Sequence, residues 1–116
     1  MILGQGIDII EVSRIAKAIE RWGDDFLKHI FTDQEIAYAR KRRFPDQHFA
    51  ARFAAKEAVL KAIGENADIG WKDIEIINQH SGKPSCLFHH QEFKQKILIS
   101  MSHTKEYAVA SATITT

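Results

Sequence analysis

The chain has 116 residues, of which 45% are hydrophobic and 27% are charged, and its formal net charge is +1. This length fits one compact domain, residues 1–116, and the near-neutral charge gives no reason to expect a nucleic-acid partner. The single cysteine, Cys86, excludes an internal disulfide and disfavours a thiolate metal site. No stretch approaches the length of a membrane span and the first residues lack a signal-peptide pattern, so we expect a cytoplasmic protein.

The first predicted element is a strand over residues 2–10 that carries two glycines and an aspartate on one face. Gly4, Gly6 and Asp8 alternate with bulkier residues, so all three point to the same side. Glycines in a strand allow another element to approach closely, and Asp8 would then lie beside that element. On its own the pattern is weak evidence, because most such aspartates cap turns or helices.

A helix is predicted over residues 13–22, with Ser13 as its N-cap. Arg14, Lys17 and Arg21 form a basic row on one face of it. Such a row is usually the solvated face of an amphipathic helix. It would also suit an acidic helix on a partner protein, through complementary charge.

The next helix begins at a capping-box pattern in residues 32–35 (TDQE) and is predicted to run to about residue 43. It ends in a basic cluster, residues 40–43 (RKRR). The cluster is either a phosphate-binding feature or a solvated helix end favoured by the helix dipole.

Residues 49–63 (FAARFAAKEAVLKAI) predict a long central helix with almost no solvated face, because large apolar residues line one side and alanines the other. The helix nevertheless carries Arg52, Lys56, Glu57 and Lys61. Buried charges need partners, and the four-residue spacing allows Glu57 and Lys61 to meet. One ion pair on a core helix is the plain alternative, but the apolar surroundings favour a polar site set into an apolar wall.

The second half of the chain predicts antiparallel strands. They cover residues 73–78, 85–88, 96–102 and 107–114. Turns at residues 81–84 (SGKP) and 102–106 (SHTKE) join them, and plain polar turns are the simpler interpretation of both. The expected fold is α+β, with an antiparallel sheet packed against the long central helix.

Asp8, Glu57 and Lys61 together suggest a site that could hold a divalent cation and a phosphate group. Asp8 and Glu57 are carboxylates on elements expected to be buried, and Mg²⁺ prefers hard oxygen ligands, often with only one or two protein carboxylates. Lys61, one helical turn after Glu57, would be placed to meet a phosphate oxygen. Spacing alone does not establish that Asp8 reaches the central helix.

The motifs, taken in order, resemble those of the holo-[acyl-carrier-protein] synthase family, the small bacterial 4′-phosphopantetheinyl transferases. The matching blocks are GIDIIEVSRI at 6–15, FTDQE at 31–35, RFAAKEAVLKAIG at 52–64, GKP at 82–84 and SMSHTKEYAVA at 100–110. They span nearly the whole chain. The resemblance implies the 4′-phosphopantetheinyl transferase fold. It also implies transfer of the phosphopantetheine arm of coenzyme A to a serine of apo acyl-carrier protein, releasing adenosine 3′,5′-bisphosphate, in support of fatty acid biosynthesis.

The resemblance also implies roles for individual residues. Asp8 and Glu57 would bind Mg²⁺ with the coenzyme A pyrophosphate, and Lys61 would contact that pyrophosphate. Arg14 and Arg21 would meet the acidic helix of the carrier protein. The residues expected around the adenosine and its phosphates are Arg52, Gly82, Lys83, Pro84, Ser102, His103 and Thr104. The base that takes the serine proton is Glu57 or a metal-bound water, and we favour water because a carboxylate already on the metal is a poorer base.

By the same resemblance the protein would be a homotrimer with active sites between subunits, an arrangement in which Asp8 and the central helix could come from different protomers. Two other classes compete with the transferase. A nucleotide- or nucleic-acid-binding module would use residues 40–43, but it also predicts aromatic residues spaced along a sheet face for base stacking, and the strands here are mostly aliphatic. A structural oligomerisation domain would explain the apolar helix but not the three charged residues on and near it.

Overall fold

The structure is a computed structural model that describes residues 1–64, 68–90 and 93–116. Its elements, in chain order, are β1 (Ile2–Glu11), α1 (Val12–Trp22), α2 (Asp24–Ile30), α3 (Asp33–Arg40), α4 (Pro45–Ile63), a short 3₁₀ helix (Trp71–Asp73), β2 (Ile74–Asn78), β3 (Pro84–Phe88), β4 (Lys96–His103) and β5 (Tyr107–Thr115). This is the α+β class with antiparallel strands that the sequence predicts. None of the helices in the described ranges is long and apolar enough to cross a membrane.

The strands form two separate antiparallel sheets. The larger sheet has the order β1-β5-β4, and β2 and β3 pair as a hairpin of their own. In the larger sheet Asp8 on β1 lies opposite Ala110 on β5, which in turn lies opposite Met101 on β4. The central strand β5 therefore separates the two edges on which the candidate residues lie.

Helix α4 packs across one face of the larger sheet, and the approach of β1 is very close. A Cβ added at Gly4 would stand 2.1 Å from Ala62 O, and one added at Gly6 would stand 2.0 Å from Ala58 O. Both positions therefore require glycine. The expectation that these glycines admit a neighbouring element is confirmed, and the neighbour is the central helix.

The N-termini of α3 and α1 show which of the predicted helix caps are present. The capping box before α3 is present, since Thr32 N donates to Glu35 Oε1 at 2.8 Å and Glu35 N donates to Thr32 Oγ1 at 3.3 Å. Ser13 as the N-cap of α1 is wrong, because the helix begins at Val12 and has no side-chain cap. Val12 N instead donates to Glu106 O at 2.8 Å, so backbone from the β4–β5 turn satisfies this helix end.

Lys56, one of the four charged residues on α4, has a structural role. It forms a fully buried ion pair with Glu35 at 2.7 Å. Its ammonium also lies within hydrogen-bond distance of three carbonyl oxygens, those of Ile30 at 3.0 Å, Trp71 at 3.1 Å and Ile74 at 2.7 Å. This pairing satisfies the requirement that a buried charge be fully hydrogen-bonded.

The opposite face of the larger sheet carries exposed apolar side chains. Ile7 and Ile9 on β1 are each 65% exposed, and Leu98 on β4 is 52% exposed. Large apolar side chains exposed on one face of a sheet make that face a candidate interaction surface.

Candidate active site

Asp8 and Lys61 meet across the contact between β1 and α4. Lys61 Nζ donates to Asp8 Oδ1 at 3.2 Å and to Ile7 O at 3.0 Å. The glycine face of β1 produces this contact, because Asp8 follows Gly4 and Gly6 on the side that touches α4. The ion pair that Lys61 forms is thus with Asp8, although its spacing on the helix also allowed a pair with Glu57.

Glu57 faces the same space as Asp8. Both carboxylates line a cavity of about 400 Å³ together with Arg14. Burial raises the pKa of Glu57 above its ordinary value, the negative charge of Asp8 raises the pKa further, and Lys61 opposes the rise. Two carboxylates that repel each other across one cavity form an environment that a cation stabilises.

The donor set fits Mg²⁺. The described residues contain no cluster of three or more His, Cys, Asp or Glu that could hold a metal ion. Mg²⁺ needs fewer protein ligands than that, since it usually keeps several waters and takes one or two carboxylates plus substrate phosphates. Asp8 and Glu57 meet that requirement.

The basic row of α1 begins at this cavity. Arg14 lines the cavity itself, while Lys17 and Arg21 continue along the exposed side of the helix. Beside them Trp22 is 58% exposed, with the Arg21 guanidinium 4.9 Å from its ring centre. The predicted docking residues therefore lead from the surface to the carboxylate pair.

A second cavity, of about 650 Å³, lies between the β2–β3 hairpin and the helices α3 and α4. Arg52 and Gly82 both line it, with Tyr38 and Arg42. The guanidinium carbons of Arg42 and Arg52 each lie 4.1 Å from the Tyr38 ring centre. Two guanidinium groups at one cavity have the charge and the donors that an anion requires.

Arg52 is buried, and the described residues satisfy only part of its guanidinium group with hydrogen bonds. Its Nη2 donates to Asn78 Oδ1 at 2.5 Å, whereas its buried Nε has no hydrogen-bond partner in the part of the chain that the structure describes. Burial lowers the pKa of Arg52 below the usual guanidinium value, and Tyr38 and Glu35 counteract that effect. An unsatisfied buried donor is a group that a ligand oxygen can satisfy.

His103 lies near this second cavity. Its Nδ1 is 3.0 Å from Gln47 Oε1, and its ring centre is 4.9 Å from that of His48, which is 5.9 Å from that of Tyr38. The pKa of His48 is lowered, first by burial and then by His103 and two arginines, Arg52 and Arg42. His48 is thus packed between the end of β4 and the arginine pair.

The other predicted nucleotide-binding residues shape turns or lie on the surface. Thr104 Oγ1 accepts from Tyr107 N at 3.1 Å and from Glu106 N at 3.3 Å, so it closes the β4–β5 turn. Ser102 and Lys83 are exposed, and Pro84 begins β3.

Sequence reasoning missed four residues of the second cavity and its neighbourhood: Tyr38, Gln47, His48 and Asn78. Spacing offers a signal for two of them, since Tyr38 precedes Arg42 by four residues and His48 precedes Arg52 by four. For Asn78 no local pattern indicates a role, because its partner Arg52 is on a distant element.

The candidate residues thus form two groups. Within one protomer Lys61 contacts Asp8, and Asp8 and Glu57 line one cavity, so Asp8 and the central helix need not come from different subunits. Arg52 and His103 lie elsewhere, since β4 is the opposite edge of the sheet from β1. On α4, five residues of helix turn Arg52 roughly 140° away from Glu57.

Comparisons with known proteins identify the family. A holo-[acyl-carrier-protein] synthase of Koribacter versatilis is 45% identical over 120 residues, covering 96% of each chain. Another, of Thermodesulfovibrio yellowstonii, is 45% identical over 99% of this chain and 100% of its own. The crystal structure of a holo-(acyl-carrier-protein) synthase from Bacillus anthracis, in complex with CoA (3′,5′-ADP), superposes with a TM-score of 0.86 at 37% identity, covering 98% of this chain and 96% of its own.

A model of one protein family gives the same assignment. The family is described as the 4′-phosphopantetheinyl transferase superfamily, and its model matches residues 4–112. That range contains both candidate cavities and every residue proposed for them. The chain therefore belongs to the 4′-phosphopantetheinyl transferase superfamily.

Proposed function

We propose that the protein is a holo-[acyl-carrier-protein] synthase. It transfers the 4′-phosphopantetheine of coenzyme A to a serine of apo acyl-carrier protein, releases adenosine 3′,5′-bisphosphate and supports fatty acid biosynthesis. The observation that carries the proposal is the pair of carboxylates, Asp8 and Glu57, facing one cavity beside Lys61. Family membership and relatives that carry this name over nearly their whole length support it.

The reaction explains why charged residues gather at the first cavity. A base, either Glu57 or a water, would take the proton of the serine hydroxyl, and the serine oxygen would bond to the β-phosphorus. The bond from that phosphorus to the bridging oxygen would break, and the bridging oxygen would leave with adenosine 3′,5′-bisphosphate. Negative charge accumulates on the phosphate oxygens, and positive groups held in place stabilise it. Asp8 and Glu57 would hold Mg²⁺, which neutralises pyrophosphate charge when bound.

Lys61 has a donor left for this purpose. An ammonium group has three donors, and two of those on Lys61 reach Asp8 Oδ1 and Ile7 O. The remaining N–H has no partner among the described residues and would meet a pyrophosphate oxygen. Lys61 would thus contact a metal ligand and the substrate at once.

The carrier protein would approach along α1. Arg14 lies at the cavity and Arg21 lies two turns further along the exposed side, so an acidic helix on that row brings its serine to the carboxylates. The second cavity, with Arg52, Gly82 and nearby His103, would take the adenosine and its 3′-phosphate.

The separation of the two groups within one chain favours a site shared between copies. In a homotrimer the β4 edge of one copy would lie against the β1 edge of the next. The exposed apolar face of Ile7, Ile9 and Leu98 would be buried in the centre. One coenzyme A would then contact Asp8 and Glu57 of one copy and Arg52 and His103 of its neighbour.

The reaction is tested by weighing the carrier. Apo acyl-carrier protein is incubated with the protein, coenzyme A and Mg²⁺, with and without EDTA, and its intact mass is measured. A gain of one phosphopantetheine that EDTA abolishes is the expected result. No gain with a folded carrier and a folded protein would refute the assigned reaction, and a gain that EDTA leaves unchanged would refute the metal.

The shared site is tested by mixing two inactive variants. Asp8→Asn removes a carboxylate from one half-site and His103→Ala removes the imidazole from the other. Trimers that contain both variants have at least one site with neither change, so mixing them after subunit exchange should restore part of the activity. Mixed trimers seen by native mass spectrometry but without activity would place the whole site in one protomer.

A further inference from the structure

Asn78 joins two elements of the second cavity through one side chain. Its Oδ1 accepts from Arg52 Nη2 at 2.5 Å, and its Nδ2 donates to Gly82 O at 3.0 Å. Asn78 is the last residue of β2, so its amide lies between the helix α4 and the turn that follows the strand. Arg52 and the turn at Gly82 are therefore hydrogen-bonded to the same side chain.

The turn itself is tightly built. Gly82 N donates to Gln79 O at 2.8 Å, and Gln79 N donates to Lys83 O at 2.9 Å. Gly82 has a φ of 86°, which strongly favours glycine. These two bonds fix the shape of the turn, and the bond from Asn78 fixes the position of the turn relative to Arg52.

Arg52 is an arginine of this cavity that is held in one orientation. It is 2% exposed, and Asn78 occupies one of its terminal nitrogens while Nε lacks a partner among the described residues. Arg42 lines the same cavity. A guanidinium fixed in orientation can meet two phosphate oxygens at once, and a freely rotating one does so at a cost in entropy.

We infer that Asn78 is a positioning residue that holds Arg52 and the Gly82 turn as one site for the 3′-phosphate, and so sets the preference for coenzyme A over dephospho-coenzyme A. This inference rests on the function proposed above. Asn78 acts through Arg52 and Gly82, so its loss weakens ligand binding and leaves the phosphoryl-transfer step intact.

The test compares both substrates in Asn78→Ala. One hydrogen bond to a charged group corresponds to about a tenfold change in affinity. The KM for coenzyme A should therefore rise about tenfold with kcat unchanged, and the KM for dephospho-coenzyme A should stay near its wild-type value. Calorimetry should show the same loss for adenosine 3′,5′-bisphosphate and not for AMP.

Two further variants separate positioning from general loosening. His89→Ala removes the contact of His89 Nε2 with Glu75 Oε1, 3.0 Å long, at the other end of the same hairpin. It should lower the melting temperature without changing the substrate preference. Asn78→Asp keeps the size of the side chain, and its negative charge should compete with the phosphate for Arg52, lowering the preference even if Asn78→Ala folds poorly.

The possible outcomes are distinct. Equal losses for both substrates, or an unchanged preference in both Asn78 variants, would overturn the inference. A wild-type protein that transfers phosphopantetheine but does not distinguish the two substrates would also overturn it and leave the proposed reaction standing. A wild-type protein that transfers nothing from either substrate would refute the proposed function, and this inference with it.

Discussion

Gly6→Ala tests whether the close contact of β1 with α4 holds the carboxylates together. The added Cβ would stand 2.0 Å from Ala58 O and 2.9 Å from Ala62 N, both backbone atoms of α4. An ordinary carbon–oxygen contact is about 3.5 Å long, so the strand must withdraw by roughly 1.5 Å. No side-chain rotation relieves the clash, because both obstacles are main chain.

The expected cost follows from that displacement. Overpacking a core costs about 1–3 kcal/mol, and a backbone obstacle places this case at about 3 kcal/mol. For a domain of this size the melting temperature should fall by about 10 °C. Asp8 moves with the strand away from Glu57 and Lys61, and a misplacement of about 1 Å can lower the rate about a hundredfold.

Urea unfolding at fixed protein concentration measures the stability, and carrier-protein mass analysis measures the rate. Gly70→Ala is the matched control, since its nearest contact would be Asp73 Oδ2 at 3.6 Å, an ordinary distance. It should change the free energy of unfolding by no more than about 0.5 kcal/mol. If Gly6→Ala is as stable as Gly70→Ala, the glycine face of β1 is not what positions Asp8.

Three further predictions concern charged groups. Asp8→Asn and Glu57→Gln should each remove most transfer activity while circular dichroism shows an intact fold; near-normal turnover at limiting Mg²⁺ in either would refute the metal assignment. Arg14→Ala should raise the KM for the carrier protein, most strongly at low salt, and a carrier KM that stays at the wild-type value across a salt series would count against docking on α1. Lys56→Met leaves the buried Glu35 carboxylate unpaired and should lower the free energy of unfolding by about 3–5 kcal/mol, measured by urea unfolding; a loss below 1 kcal/mol would contradict the role assigned to the buried pair.

Local patterns predicted much of the fold. The capping box before α3, the glycine ends of α1 and α4, and the alternation in β5 each depend on residues close in sequence. The close packing at Gly4 and Gly6 was also predictable from local sequence. Glycines on one strand face leave room for another element to pack closely, although they do not say which element it is.

By itself, then, the sequence determined the strands, the long central helix and the family, but it did not reveal the short helix α2. The tertiary structure decided which charges meet. Lys61 pairs with Asp8, 53 residues away, and Arg52 with Asn78, 26 residues away. Whether such distant residues touch depends on strand order and on which face of α4 each residue occupies. These are properties of the packed chain that no short stretch of sequence contains.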